Sequence, residues 1–170
     1  MHPLAIIVHN IRSTYNVGSI LRSADCFGVD NIYMCGYSPY PIIADDIRLP
    51  HIAQKIHQQI AKTALGAELT AHITVCSTIE DAIEQARADG YTCIAALEQA
   101  SNSIAIESFP FTQATAMVIG NEVDGVDAWT KSATDVILEI TQYGSKESLN
   151  VASATAVALY AARYQSKNYA

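Results

Sequence analysis

Two hydrophobic periods alternate along this chain, and that alternation constrains its fold more than any other feature. Short apolar, partly β-branched runs recur at Leu4 to Val8, Asn31 to Cys35, Ala71 to Cys76, Tyr91 to Leu97, Ala114 to Ile119 and Asp135 to Ile140. Runs of helical period lie between them. Thr14 to Phe27 places Val17, Ile20, Leu21, Ala24 and Phe27 on one face. Pro50 opens a helix with a predicted buried stripe of Ile52, Ala53, Ile56, Ile60 and Ala64, and Gly66 suits its C-terminal cap. Ile79 to Ala88 is a third helix, stopped by Gly90, and about Leu149 to Gln165 a fourth. The predicted order β-α-β-α-β-α-β-β-β-α is α/β, a mostly parallel sheet with helices on both faces. The 170 residues carry no internal repeat or linker, so residues 1–170 are expected to form a single domain.

Half the residues are apolar and 16% are charged, which excludes a disordered chain. Cys26, Cys35, Cys76 and Cys93 form no C-x-x-C pair and fall in predicted helices or strands. They read as buried free thiols of a reducing cytoplasm, with neither a disulfide framework nor a zinc site. The histidines are scattered without metal-ligand spacing, so no metal is expected. Met1-His2-Pro3-Leu4 lacks a signal-peptide pattern, and no apolar run reaches the length of a membrane span. A cytoplasmic protein is expected.

Ligands of such sheets sit outside the carboxyl ends of the strands, so the segments after Leu97, Ile119 and Ile140 matter most. Gly120-Asn121-Glu122-Val123-Asp124-Gly125-Val126 follows one strand. It is either an ordinary tight turn or a loop closely approached by a ligand; its acids and lack of G-K-[ST] exclude a phosphate cradle. A polar loop from Thr141 to Asn150 follows another strand and enters an Ala-rich helix. Ser148 or Asn150 caps that helix, leaving the other to face a ligand. In the first helix, Ser13 or Thr14 is the N-cap. Arg22 is read as passing over Gly18 toward the helix N-terminus, either to grip an anion or as a solvated side chain.

Taken together, these segments resemble the SpoU (TrmH-type) family of RNA 2′-O-ribose methyltransferases within the SPOUT superfamily. Asn16, Gly18 and Arg22 match its first motif, Asn-x-Gly-x-x-x-Arg. Ile119 to Val126 match the second, and Ser148 to Val151 the Ser-Leu-Asn-Val of the third. The likeness covers essentially the whole chain. Where the family usually has Ile-Pro-Met, this chain has Ile140-Thr141-Gln142, a difference that falls on pocket shape rather than on the polar motif residues.

The resemblance implies an α/β trefoil knot in the C-terminal part and a homodimer with its active site across the interface. It implies S-adenosylmethionine as cofactor and S-adenosylhomocysteine as product, contacted by Leu97, Ile119, Gly120, Asn121, Ile140, Ser148 and Leu149. It assigns the chemistry to Arg22, Asn16, Glu122, Ser148 and Asn150. The substrate would be a ribose 2′-hydroxyl of RNA, with transfer RNA preferred over ribosomal RNA because minimal-domain relatives lean that way. With a first strand starting at about residue 4 and a helix ending near the terminus, no added RNA-binding domain is expected. The competing readings are a knot protein that binds RNA without catalysis, a knot methyltransferase acting on a base or a protein, and an unrelated nucleotide-binding α/β enzyme.

The net charge of −7 is unusual for an RNA-binding chain. Its distribution resolves the tension. Residues 1–64 hold Arg12, Arg22, Arg48, Lys55 and Lys62 against four aspartates, whereas residues 65–170 hold five basic and thirteen acidic residues. The RNA contacts are therefore expected at Arg12, Asn16, Arg22, Arg48, Lys55 and Lys62. Few phosphate contacts imply a shallow salt dependence.

Overall fold

A computed structural model describes residues 2–121 and 123–168. The strands are β1 (Leu4–His9), β2 (Asn31–Cys35), β3 (Ile73–Cys76), β4 (Cys93–Leu97), β5 (Ile104–Ala105), β6 (Thr115–Ile119) and β7 (Val136–Glu139). They form one sheet in the order β3-β2-β1-β6-β4-β7-β5, and every pairing is parallel. The helices are α1 (Thr14–Cys26), α2 (Pro50–Ala64), α3 (Ala67–Thr70), α4 (Ile79–Ala88), α5 (Ala128–Ala133) and α6 (Val151–Asn168), with a 3₁₀ turn at Ile106–Ser108.

Central strands buried on both faces explain why their sequences are continuously apolar. From β1, Leu4, Ile6 and Val8 face one layer, with Val17, Ile20 and Leu21 of α1, Ile60 of α2 and Ala158 and Leu159 of α6. Ala5 and Ile7 face the other, against Ile79, Ala82, Ile83 and Ala86 of α4. Helices therefore cover both faces, unequally.

Local chemistry fixes the helix ends. Ser13 is the N-cap of α1, its Oγ accepting from the Asn16 amide at 3.2 Å. Thr78 and Asp81 form a reciprocal capping box on α4. At the end of α2 the expectation for Gly66 is corrected. Leu65 takes the left-handed conformation (φ 51°), and Gly66 opens the short α3 instead. Ile52, placed in the buried stripe by its spacing, is 42% exposed; α1 starts at Thr14, whose Oγ1 donates to Gln59 Oε1 two turns further along α2. Cys26 is exposed at the end of α1, so only Cys35 and Cys93 are fully buried thiols; all four are free.

Gly18 has a different job from the one read in the sequence. A Cβ there would collide with the Ile60 carbonyl and Thr63 Oγ1 and lie 3.0 Å from the Ala64 amide nitrogen. The space over Gly18 belongs to α2, and the route for Arg22 across it is closed. Thr63 Oγ1 also donates to the Tyr15 carbonyl at 2.9 Å, pinning the crossing of α1 and α2. No helix among the described residues is long and apolar enough to cross a membrane.

Candidate functional site

The carboxyl ends of β4, β6 and β7 open onto a cleft of about 300 Å³. Leu97, Ile119, Gly120, Ile140, Ser148 and Leu149 all line it, although their segments are far apart in sequence. Val151 and Ala154 of α6 extend the apolar wall. Glu98, Asp124, Glu139 and Glu147 face Lys131 around the rim, so negative charge predominates. Such a lining suits a ligand with a flat apolar part, hydroxyls and positive charge, and repels phosphate. Among the described residues no group of His, Cys, Asp or Glu is arranged to hold a metal ion.

The glycine loop is shaped by its own backbone. Asn121 and Gly125 exchange two backbone hydrogen bonds, at 3.1 and 3.0 Å. The Asn121 Oδ1 accepts from the amides of Val123 and Asp124 at 2.7 and 3.0 Å. A Cβ on Gly120 would strike the Gly125 carbonyl, so the loop folds back only with glycine there. Asn121 itself does not line the cleft. It is buried, and its Nδ2 donates to the Asn10 carbonyl at 2.9 Å and Tyr37 Oη at 2.6 Å. Glu122 lies outside the described residues.

Glu98 was not singled out by the sequence motifs. Its Oε2 accepts from the Val126 amide at 2.7 Å and its Oε1 from the Gln99 amide at 2.9 Å. One carboxylate thus joins the end of β4 to the glycine loop. Gln99 then donates through Nε2 to the Glu147 carbonyl at 3.1 Å, linking β4 to the loop before α6. A glutamate directly after a strand, facing a glycine loop, was the only available signal.

The first and third motifs meet. Asn150 Nδ2 donates to Asn16 Oδ1 at 3.2 Å across 134 residues of chain. Asn150 Oδ1 accepts from the amides of Ala152 and Ser153, so Asn150, not Ser148, is the cap of α6. Ser148 is left exposed at the cleft wall. Arg22 is exposed on α1, Arg12 in the preceding loop, and Lys55 and Lys62 on α2. Arg48 is placed differently from these cations. Its Nε meets Asp46 Oδ1 at 2.8 Å, its Nη atoms donate to the carbonyls of Tyr40 and Pro41, and its guanidinium lies 3.6 Å from the Tyr40 ring centroid. It holds the loop between β2 and α2 and turns inward. Asp46 is held down at about 2, chiefly by this hydrogen-bonded guanidinium.

His9, at the end of β1, is nearly buried 3.9 Å from Asp127, the N-cap of α5. Burial lowers its pKa, opposed by the negative charge of Asp127 and Glu80.

A parallel α/β sheet whose strand-end loops build an acidic, apolar-walled cleft defines a protein that binds a small organic cofactor or substrate. Residues 3–160 match the model of the SpoU rRNA Methylase family, and the chain belongs to that family. It is 26% identical over 156 residues to the 23S rRNA (guanosine(2553)-2′-O)-methyltransferase RlmP of Bacillus subtilis (strain 168), covering 91% of this chain and 56% of that protein. It is 24% identical over 165 residues to the tRNA (guanosine(18)-2′-O)-methyltransferase of Escherichia coli (strain K12), covering 97% of this chain and 65% of the relative. The chain thus spans little more than half to two thirds of these relatives' length. Among solved structures, the SpoU methyltransferase AviRb from Streptomyces viridochromogenes in complex with the cofactor AdoMet superposes with a TM-score of 0.75 at 26% identity, over 96% of this chain and 57% of that one.

Proposed function

We propose that this protein transfers a methyl group from S-adenosylmethionine to a ribose 2′-hydroxyl of RNA, with transfer RNA the first substrate to test. The observation that carries the reading is the convergence of the three motif segments: the cleft between two of them, and the Asn16–Asn150 hydrogen bond that ties in the third. The cleft fits the cofactor. Leu97, Ile119, Ile140 and Leu149 suit the adenine and methionine carbons, while the acidic rim suits a sulfonium and an ammonium. When bound, S-adenosylmethionine supplies an electrophilic methyl group.

The chain's own residues must then align the RNA and favour loss of the hydroxyl proton. Arg22 stays protonated and is a poor base. It grips the phosphate beside the reacting ribose, and its field favours the developing alkoxide. Asn16, oriented by Asn150, positions the nucleotide. Glu122 orients Arg22 or accepts from the ribose, and Ser148 holds the loop and substrate. Arg12, Lys55 and Lys62 supply the outer phosphate contacts; Arg48 contributes by holding the loop that precedes α2.

The remaining parts of the reading are a single SpoU domain over 1–170, the family's trefoil knot, a cytoplasmic location and a homodimer. The open face of α6, where Tyr160 and Tyr164 stack with ring centroids 6.1 Å apart and both are more than half exposed, supports a partner subunit. The test is incubation of the protein and methyl-labelled S-adenosylmethionine with total RNA from a host lacking it. Label is expected in RNA. A protein that binds the cofactor in a calorimetric titration yet leaves all RNA unlabelled would refute the proposal.

A further inference from the structure

Among the aromatic side chains facing solvent, Tyr37 is held in an unusual way. The residue is 55% exposed, yet its hydroxyl is fixed by Asn121 Nδ2 at 2.6 Å. Its backbone amide donates to Asn10 Oδ1 at 3.1 Å. The backbone on both sides of this contact is bent: Asn10 has φ 56° and Gly36 φ 64°, and a Cβ on Gly36 would collide with Asn10 Oδ1. A non-glycine residue held at positive φ costs free energy that the surrounding contacts must offset. Asn10, Gly36 and Asn121 come from three different strand ends; Asn10 holds the Tyr37 backbone and Asn121 its hydroxyl. Asn121 directly follows Gly120 of the cleft wall, so the Tyr37 hydroxyl is tied to the residue next in the chain to that wall.

We propose that Tyr37 is the stacking surface for a base of the RNA substrate, most directly the base of the nucleotide whose ribose enters the cleft. An aromatic face exposed to water and locked in orientation is what an unstacked base requires, since stacking is tolerant of sequence and loses least entropy on a rigid ring. The contact also gives the glycine loop a second role. Asn121 shapes the loop through Oδ1 and sets the ring through Nδ2, so cofactor loop and base platform share one side chain. Tyr37 acts on RNA binding and register. It does not touch the reacting atoms.

This inference rests on the RNA methyltransferase reading, and one experiment separates the two. Methyl transfer to total RNA from a host lacking the protein is measured for wild type, Tyr37→Leu and Tyr37→Phe, with S-adenosylmethionine affinity measured by calorimetry for each. Tyr37→Leu is expected to raise the apparent KM for RNA about tenfold or more, the usual loss for removing one stacked base contact. Its cofactor affinity should match wild type. Tyr37→Phe keeps the face and loses the hydroxyl, so it should lie between the two. An active wild type with a Tyr37→Leu variant of unchanged RNA KM would overturn the platform and leave the methyltransferase reading standing. A Tyr37→Leu variant that loses cofactor affinity in step with its RNA activity would overturn it too, by reducing Tyr37 to a loop support. A wild type that binds cofactor but labels no RNA would overturn both.

Discussion

At the scale of single residues, Arg22, Gly18 and Asp46 have separable duties. Arg22 is exposed on α1 and is assigned the phosphate beside the reacting hydroxyl. Arg22→Ala is expected to cut methyl transfer by about 10²-fold or more while cofactor binding stays at the wild-type level. Transfer at the normal rate would remove the assignment. Gly18 sits where two helix backbones touch. Gly18→Ala should lower stability by about 1–3 kcal/mol, because the obstructing atom is the Ile60 carbonyl and the helices must separate to admit a methyl group; thermal unfolding measures it. Asp46 titrates near 2 in the folded chain against an ordinary value of 3.8. A depressed carboxylate stabilises the fold above its unfolded pKa, and that contribution disappears as pH falls from about 4 toward 2. Asp46→Asn is therefore expected to cost about 2 kcal/mol at neutral pH. Denaturant unfolding should show the gap to wild type closing near pH 2.

At the scale of elements, the junction of α1 and α6 is the informative one. Asn150 caps α6 through Oδ1 and reaches Asn16 through Nδ2. Asn150→Ala removes both and should cost about 1 kcal/mol of stability from the lost cap alone. Asn150→Asp retains an acceptor for the cap and loses the donor to Asn16. Its melting temperature should stay near wild type while methyl transfer falls by about fivefold, the worth of one neutral hydrogen bond. If Asn150→Asp keeps full activity, the junction does not position the substrate. Elements whose signal is periodic were legible in the sequence: β1, α1, α2, α4 and β6 all lie within a residue or two of their expected bounds, and α6 starts two residues later and ends three later than expected. α5 and β5 were not, because six and two residues are too short to display a period. At the cleft, motif spacing pointed to the lining residues Gly120, Ile140 and Leu149. It gave no sign of Glu98, whose part depends on the glycine loop folding back across the end of β4, a contact between distant segments. The inward turn of Arg48 escaped notice for the same reason, since a basic residue before a helix looks exposed until the loop around it closes.

At the scale of the whole molecule, the acidic excess falls after residue 64. The cations left facing outward in the first 64 residues are few: Arg12, Arg22, Lys55 and Lys62. A plot of log affinity for RNA against log salt should therefore have a slope of magnitude about 3 or below. A steep slope would require phosphate contacts from elsewhere, such as a partner subunit's surface or a further protein. Arg163 closes the molecule on the opposite side, donating to the carbonyls of His2, Phe27 and Gly28 and so fastening α6 to the start of β1. What defines the proposed reaction is one bond, that between the transferred methyl and a ribose oxygen. It is tested most directly by digesting RNA methylated by this protein to nucleosides and identifying the product by mass. A nucleoside whose added methyl fragments with the ribose is expected; a methyl that fragments with the base would overturn the ribose assignment.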